Sequence, residues 1–343
     1  MVTLGDRIKL ARSKAGLSLR AVAEKVGLSH TAISKYERGI DTPNSAVLLR
    51  LADALGVRLD FFFRQVRVEL EPEAIHYRCR NRFGEKARQR VHGEVIECLE
   101  RYLEVESLFD EPAPFLKPVA DFAVKGLDEI ENLALALREE WDLGTDPIDN
   151  LMAVLEDKGV RVCLVQGDDG FDGLSAWFQG NCPIVAVQRG VPGDRQRFDL
   201  AHELAHLLLD VSPGIDEEKA AHRFAGAFLA PEPAVRAELG ERRRALDPYE
   251  LYLLKHKYGL SMQAWMHRAR DLGIIREDTY QTLCRRFSRM GWRKQEPWEQ
   301  VPAEEPGRVK QLVYRALAED EISRSRAEEL LGEPLVEVVS EAA

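Results

Sequence analysis

Apolar side chains recur at three- and four-residue spacing through the first part of the chain, in short runs separated by glycine. Leu4, Ile8 and Ala11 make a first run that stops near Gly16. Ser18 opens a second, with Ala21, Val22 and Val26 inward, closed by Gly27. Ser29 opens a third from His30 to Arg38, ending at Gly39, and a fourth runs from Asn44 to Leu55 before Gly56. Two helices joined by a tight glycine-containing turn, the second with small polar residues on its open face, predict a helix-turn-helix.

Beyond this bundle, residues 66–70 alternate like a short strand, and Arg78, Arg80, Arg82, Lys86, Arg88 and Arg90 form a basic run that could contact phosphate but, with Glu73, Glu85 and Glu94 interspersed, is read as a solvated helix start. Val91, Val95, Leu99, Tyr102 and Leu103 predict a helix over 85–108 that packs on the second unit or on a twin chain. Glu111-Pro112-Ala113-Pro114 then breaks the pattern. Helices are predicted over 127–141 and 148–158, and strands over 160–165, 173–178 and 183–187. A helix follows from Asp194 to Leu209, another begins near Asp216, and a last one spans 308–319. The expected class is mainly α with a small mixed β-sheet.

Length changes the picture first, because 343 residues exceed one ordinary domain and imply two or three folded units. Hydrophobic residues make up 45% and charged ones 31%, which excludes disorder and supports a sizeable core. With no apolar stretch at the N-terminus and no run near 18 apolar residues, a cytoplasmic location without membrane attachment is expected. Five cysteines without close pairs (Cys79, Cys98, Cys163, Cys182, Cys284) lead us to expect reduced thiols. Net charge is −10, yet residues 1–66 hold eleven Lys/Arg against six Asp/Glu, a surplus of five that leaves −15 on the rest. A basic first unit on an acidic chain suggests nucleic-acid binding by that unit alone.

The first unit resembles the Xre/Cro-type DNA-binding domain, including the closing Lys35-Tyr36-Glu37-Arg38-Gly39 and the helix Asn44 to Leu55 with Gly56-Val57. The resemblance implies that Ser29, His30, Thr31 and Ser34 face base edges of double-stranded operator DNA, where hydroxyl and imidazole groups exchange hydrogen bonds. Lys35 and Arg38 would meet phosphates, and Arg12 would pair with Glu37 to hold the fold. Leu19 stands where relatives often carry a glutamine that touches the phosphate backbone, which implies either weaker operator affinity or a contact carried by another residue such as Arg20. Reading two half-sites implies a homodimer.

His202-Glu203-Leu204-Ala205-His206 is an H-E-x-x-H sequence in helical context. Spacing of four sets both imidazoles one turn apart on one face, where both reach one Zn²⁺, with Glu203 beside them to handle water. Flanking Phe198, Ala201, Ala205, Leu208 and Leu209 predict a largely buried helix, in which idle polar groups are costly. A catalytic zinc takes a third protein ligand. Here the chain resembles the ImmA/IrrE family of metallopeptidases, in which a second helix carries E-x-x-A-x-x-F-A and a small-apolar-proline stop. Glu218-Lys219-Ala220-Ala221-His222-Arg223-Phe224-Ala225 and Leu229-Ala230-Pro231 match. The resemblance implies zinc on His202, His206 and Glu218, with Glu203 as general base. Many relatives have a glutamate just before the motif alanine, where Ala220 stands here, and Glu217 and His222 are rivals to Glu218. Arg195-Gln196-Arg197-Phe198, residues 254–262 and Gly291-Trp292-Arg293-Lys294 also fit, so the likeness runs over 127–297. Gly259-Leu260-Ser261 before a further amphipathic helix has the look of another helix-turn-helix, but with Met266, Ala269 and Leu272 inward it is read as a plain packing helix.

Together these readings give a helix-turn-helix domain at 1–66, a connector at 67–115, an α+β zincin-like metallopeptidase domain at 116–235 with a helical part at 236–297, and an acidic helical tail at 298–343. The expected function is a DNA-binding transcriptional regulator carrying a zinc endopeptidase-type domain that cleaves or senses a regulatory protein such as a repressor. The alternative is a DNA-binding regulator or antitoxin-type autorepressor whose zinc domain is a sensor or partner-binding module.

Overall fold

Ser18, Ser29 and Asn44 each accept a hydrogen bond from the backbone N–H three residues on, at 3.2, 3.1 and 3.0 Å, so three helices begin at their side-chain caps. In the computed structural model these open α2 (Leu19–Val26), α3 (His30–Glu37) and α4 (Ser45–Leu55), after α1 (Leu4–Lys14). The structure describes residues 3–64, 75–79 (backbone only), 84–109, 115, 118, 122–167 and 170–335. Gly27 and Gly56 stop α2 and α4 in the left-handed conformation, open to residues without a Cβ. Ile8, Ala11, Val22, Val26, Ile33, Leu51 and Phe61 form the core of this bundle. Arg12 grips Glu37 through two hydrogen bonds of 2.5 and 2.9 Å, the pair expected from the motif.

The predicted strand at 66–70 lies outside the described residues. The described strand is β1 (Ile75–Cys79), and the long helix α5 (Glu85–Glu106) follows. It is followed by β2 (Ala123–Val124), α6 (Ile130–Glu140), α7 (Leu151–Asp157), β3 (Arg161–Val165), β4 (Phe171–Phe178), β5 (Cys182–Gln188) and α8 (Gly193–Leu208). A mixed four-stranded sheet has the order β1-β4-β5-β3, with β3 and β5 parallel and the other pairs antiparallel. Then come β6 (Asp210–Val211), paired with β2, and α9 (Glu217–Leu229), α10 (Glu232–Leu239), α11 (Pro248–Tyr258), α12 (Met262–Asp271) and α13 (Glu277–Arg289). α14 (Arg308–Ala318) and α15 (Arg324–Leu331) complete the described chain. Among the described residues no helix is long and apolar enough to cross a membrane.

The sheet is covered on both faces. Val162, Val185 and Val187 point into a core with α6, α8 and α9, while Cys163, Val165, Phe171, Leu174 and Ile184 face Val91, Val95, Ile96 and Leu99 of α5. Alternation along β3 and β5 therefore serves two cores, and α5 covers the second. The same helix meets the first unit, where Glu100 forms a buried ion pair with Arg7 and Glu97 pairs with Lys14. Cys98 of α5 and Cys163 of β3 form a disulfide, which corrects the expectation of reduced thiols for this pair, while Cys182 and Cys284 are free thiols. Sixty-five residues separate the two in sequence, so only the docking of α5 on the sheet brings them together.

Carboxylates from the acidic C-terminal part cap helices of the main body. Glu304 accepts from Leu151 N and Met152 N at 3.1 and 2.8 Å and pairs with Arg197, and Glu296 accepts from Met262 N and Gln263 N while holding the fully buried Lys255. These contacts satisfy orphan N–H groups at the starts of α7 and α12 and bind the segment to the domain.

Candidate metal centre

Helix α8 is buried on nearly all sides, with Leu200, Ala201, Leu204 and Ala205 inaccessible, which commits its polar residues to specific partners. His202 and Glu203 are both fully buried. One turn apart, the Nε2 atoms of His202 and His206 stand 3.1 Å from each other. Helix α9 starts at Asp216, whose side chain accepts from Lys219 N at 3.1 Å, and this cap sets Glu217 and Glu218 in the first turn facing α8. Glu218 brings Oε2 to 3.4 Å from His202 Nε2 and Oε1 to 3.4 Å from His206 Nε2.

Three donor atoms thus converge from two helices, and the group could hold a metal ion. Zinc bonds of about 2.0–2.2 Å at tetrahedral angles put donors roughly 3.3–3.5 Å apart, which the two carboxylate–imidazole spacings of 3.4 Å match and the imidazole pair at 3.1 Å approaches, and two imidazoles with one carboxylate are a zinc donor set. The hydrogen bond from His202 and the neighbouring imidazoles pull the Glu218 carboxyl down to about 2, against its partial burial.

The rivals occupy different places. Glu217 Oε1 lies 3.1 Å from Nδ1 of His206, on the ring edge away from the convergence point, where a carboxylate orients the imidazole. His222 packs its ring against His202 and Phe198, at 4.7 and 5.6 Å between centroids.

Glu203 points to the sheet, a relation the sequence did not disclose. Its Oε2 accepts from the Ser175 hydroxyl at 2.9 Å, and a Cβ built on Gly173 would stand 2.7 Å from Oε1. Both residues are on β4, and both are opposed by β1, through the pairs His76↔Ser175 and Arg78↔Gly173. A serine and a glycine two apart on a strand carry no motif, so only docking of α8 on the sheet reveals them.

Buried arginines set the end of α9. Arg138 donates to Phe228 O at 2.6 Å, and Arg268 donates to Ala230 O at 2.9 Å while gripping Glu131. Carbonyls at a helix C-terminus lack intrahelical donors, and these guanidinium groups supply them at the Leu229-Ala230-Pro231 stop. Gly226 makes room, since a Cβ there would lie 2.9 Å from Arg268 Cδ.

In the first unit, Ser29, His30, Thr31, Lys35 and Arg38 are exposed along α3, and Ser34 is half-buried. The Ser29 oxygen already accepts from Ala32 N, so its capping role leaves its hydroxyl hydrogen for any further contact.

Residues 8–62 match the helix-turn-helix family and residues 155–270 match the IrrE N-terminal-like domain. The chain therefore carries a helix-turn-helix domain at its N-terminus and an IrrE N-terminal-like domain behind it. It is similar to the HTH-type transcriptional regulator ImmR of Bacillus subtilis (strain 168), 33% identical over 72 residues, which is 21% of this chain and 57% of that protein. It is also similar to the HTH-type transcriptional regulator PuuR of Escherichia coli (strain K12), 35% identical over 71 residues, 21% of this chain and 38% of that protein. The chain spans little more than half the length of the curated relatives it first matches.

Proposed function

We propose that this chain is a DNA-binding transcriptional regulator whose second domain is a zinc-dependent peptide-bond hydrolase acting on a regulatory protein. The observation that carries the second half is the convergence of His202 Nε2, His206 Nε2 and the Glu218 carboxylate, with Glu203 buried one residue along the same helix. His202, His206 and Glu218 would hold the ion, and Glu217 would orient His206. A zinc ion there supplies Lewis acidity and brings the pKa of water to about 7. Glu203 is the general base, its carboxylate fixed by the Ser175 hydroxyl so that the remaining oxygen takes the proton of an attacking water and passes it to the leaving amine. Burial sharpens this role, since a carboxylate held away from bulk water needs little reorganisation as charge moves.

The first domain supports binding to double-stranded operator DNA. Ser29, His30, Thr31 and Ser34 would exchange hydrogen bonds with base edges, and Lys35 and Arg38 would meet phosphates. Exposed Leu49 and Phe63 on this domain offer apolar surface for a second copy, in keeping with a homodimer on two half-sites. A repressor is the protein substrate or partner the DNA-binding domain would bring within reach.

A second reading is favoured by the ion pairs Arg7–Glu100 and Lys14–Glu97. They tie the DNA-binding domain to the helix that covers the sheet, as a sensor coupling metal state to DNA binding would require.

Elemental analysis of the wild type and Glu218→Ala, followed by cleavage of a candidate repressor by Glu203→Gln, separates the readings. One zinc per chain, lost in Glu218→Ala, with cleavage abolished and zinc kept in Glu203→Gln, supports the hydrolase. Zinc with no cleavage by the wild type leaves the sensor. No zinc after reloading removes both metal-dependent readings and leaves a DNA-binding regulator.

A further inference from the structure

Helix α13 buries Tyr280, Leu283 and Phe287 at three- and four-residue spacing and turns a different face outward. Arg285, Arg286 and Arg289 are exposed on that face. Beyond the helix, Gly291 adopts φ +75°, and Trp292 N donates to Phe287 O at 2.9 Å, so the chain folds back and the Trp292 ring packs 5.3 Å from that of Phe287. This return keeps Arg293 and Lys294, both exposed, at the same end of the helix. Between Asp278 and Glu296 there is no acidic residue.

The neighbouring helices show the opposite habit. Within α10 to α12, Arg236 pairs with Glu232, Lys255 with Glu296, Lys257 with Glu238, Arg268 with Glu131 and Arg270 with Asp271. Among the described residues none of the five cations from Arg285 to Lys294 has an acidic partner. The helix dipole favours cations in a last turn. That accounts for single residues near the C-terminal carbonyls, but not for the exclusion of every carboxylate from the stretch. Five like charges held on an ordered helix end repel one another, and a polyanion relieves that repulsion.

We propose that the C-terminal end of α13, with Arg285, Arg286, Arg289, Arg293 and Lys294, is a second DNA-backbone contact surface. Four of the five are arginines, whose planar guanidinium groups match phosphate oxygens bidentately. Arg285 to Arg289 spans about 6 Å of helix axis, and each DNA strand presents a phosphate about every 3.4 Å along its axis. The surface reads no bases. It adds sequence-independent affinity beside the specificity of α3. Its place in the protein's action rests on the reading of the first domain as DNA-binding, whereas the contact itself does not depend on α3.

The test is the salt dependence of binding between the full chain and a mixed-sequence duplex of about 30 base pairs, followed by fluorescence anisotropy. Four proteins are compared: wild type, the five-fold alanine variant of the α13 cations, Lys35→Ala/Arg38→Ala, and a charge-matched control. The control replaces the exposed Lys125, Arg242, Arg244, Arg276 and Arg324 by alanine. The α13 variant is expected to keep its melting temperature and lose at least tenfold in affinity, with the slope of log K against log salt shallower by about 3–4, at roughly 0.9 per phosphate. The control is expected to keep the wild-type slope, and Lys35→Ala/Arg38→Ala to keep residual salt-sensitive binding. A wild-type slope in the α13 variant overturns the proposal and leaves the first domain's DNA binding standing. An equal loss in the control overturns it in favour of net charge alone. Unchanged duplex binding by the α13 variant, combined with loss of binding to poly-glutamate, overturns it and makes an acidic protein segment the partner.

Discussion

The hydroxyl of Ser175 on β4 donates a 2.9 Å hydrogen bond to Glu203 on α8, joining the sheet to the carboxylate proposed as general base. Two residues back, Gly173 leaves space that a side chain would take from the other carboxylate oxygen. Ser175→Ala removes one donor from a buried carboxylate and should cost about 1–3 kcal/mol. Gly173→Ala should displace the Glu203 side chain, because its Cβ would overlap Oε1. Thermal melts check the first and a crystal structure the second; an unchanged melting temperature in Ser175→Ala would show that the bond contributes nothing.

The two adjacent glutamates of α9 should separate in metal binding. Glu218→Ala is expected to lose the ion. Glu217→Ala should keep it with affinity lowered about 10- to 100-fold, the usual effect of losing a carboxylate that orients a ligating imidazole. Competition with a chelator measures both. Retention in Glu218→Ala together with loss in Glu217→Ala would reverse the assignment.

Arg7 and Glu100 are almost wholly buried where α1 meets α5, and Arg7 also donates to Arg64 O. Glu100→Ala strands a guanidinium away from water and should cost about 3–5 kcal/mol. Calorimetry should then show the first domain melting apart from the rest. A single unshifted transition would count against α5 as the coupling element.

Burial, reinforced by Arg270, holds His267 below the ordinary histidine value, and its ring accepts or donates at 2.8 Å to the Tyr280 hydroxyl. A depressed folded value means that the unfolded chain binds the proton more readily. The contribution to stability is therefore full above about pH 6.5 and is lost as pH falls through the folded value. His92, also lowered by burial, acts with the same sign. His267→Gln should thus flatten part of the decline in melting temperature between pH 7 and pH 5, and a slope identical to wild type would contradict the assignment.

With Cys98 and Cys163 disulfide-bonded and Cys182 and Cys284 free among the described residues, thiol titration of the denatured, unreduced protein should leave two of the five cysteines unreactive, and all five should react after reduction. Five before reduction would mean that Cys98 and Cys163 stand side by side as thiols.

Local physics made much of this chain legible in advance. Serine and asparagine caps, left-handed glycines and three- to four-residue apolar spacing act within a few residues, so α1 to α4, α8 and α9 could be read from the sequence almost to their ends. The i, i+4 geometry of a helix likewise set His202 and His206 on one face before any fold was known, with Glu203 beside them. What the tertiary structure alone decided are relations between segments far apart in sequence. The packing of α9 on α8 turns Glu218 to the imidazoles' Nε2 atoms and Glu217 to the Nδ1 of His206. The docking of the sheet gives Glu203 its serine. The seat of α5 between the first domain and the sheet joins Cys98 to Cys163 and buries Arg7 with Glu100. Residues 298–343 read as an acidic tail, yet Glu304 caps α7, as Glu296 just before it caps α12, because a carboxylate finds an N-terminal N–H only after the chain has returned to it. Periodicity reports which face of an element is buried, and says nothing of which distant element buries it.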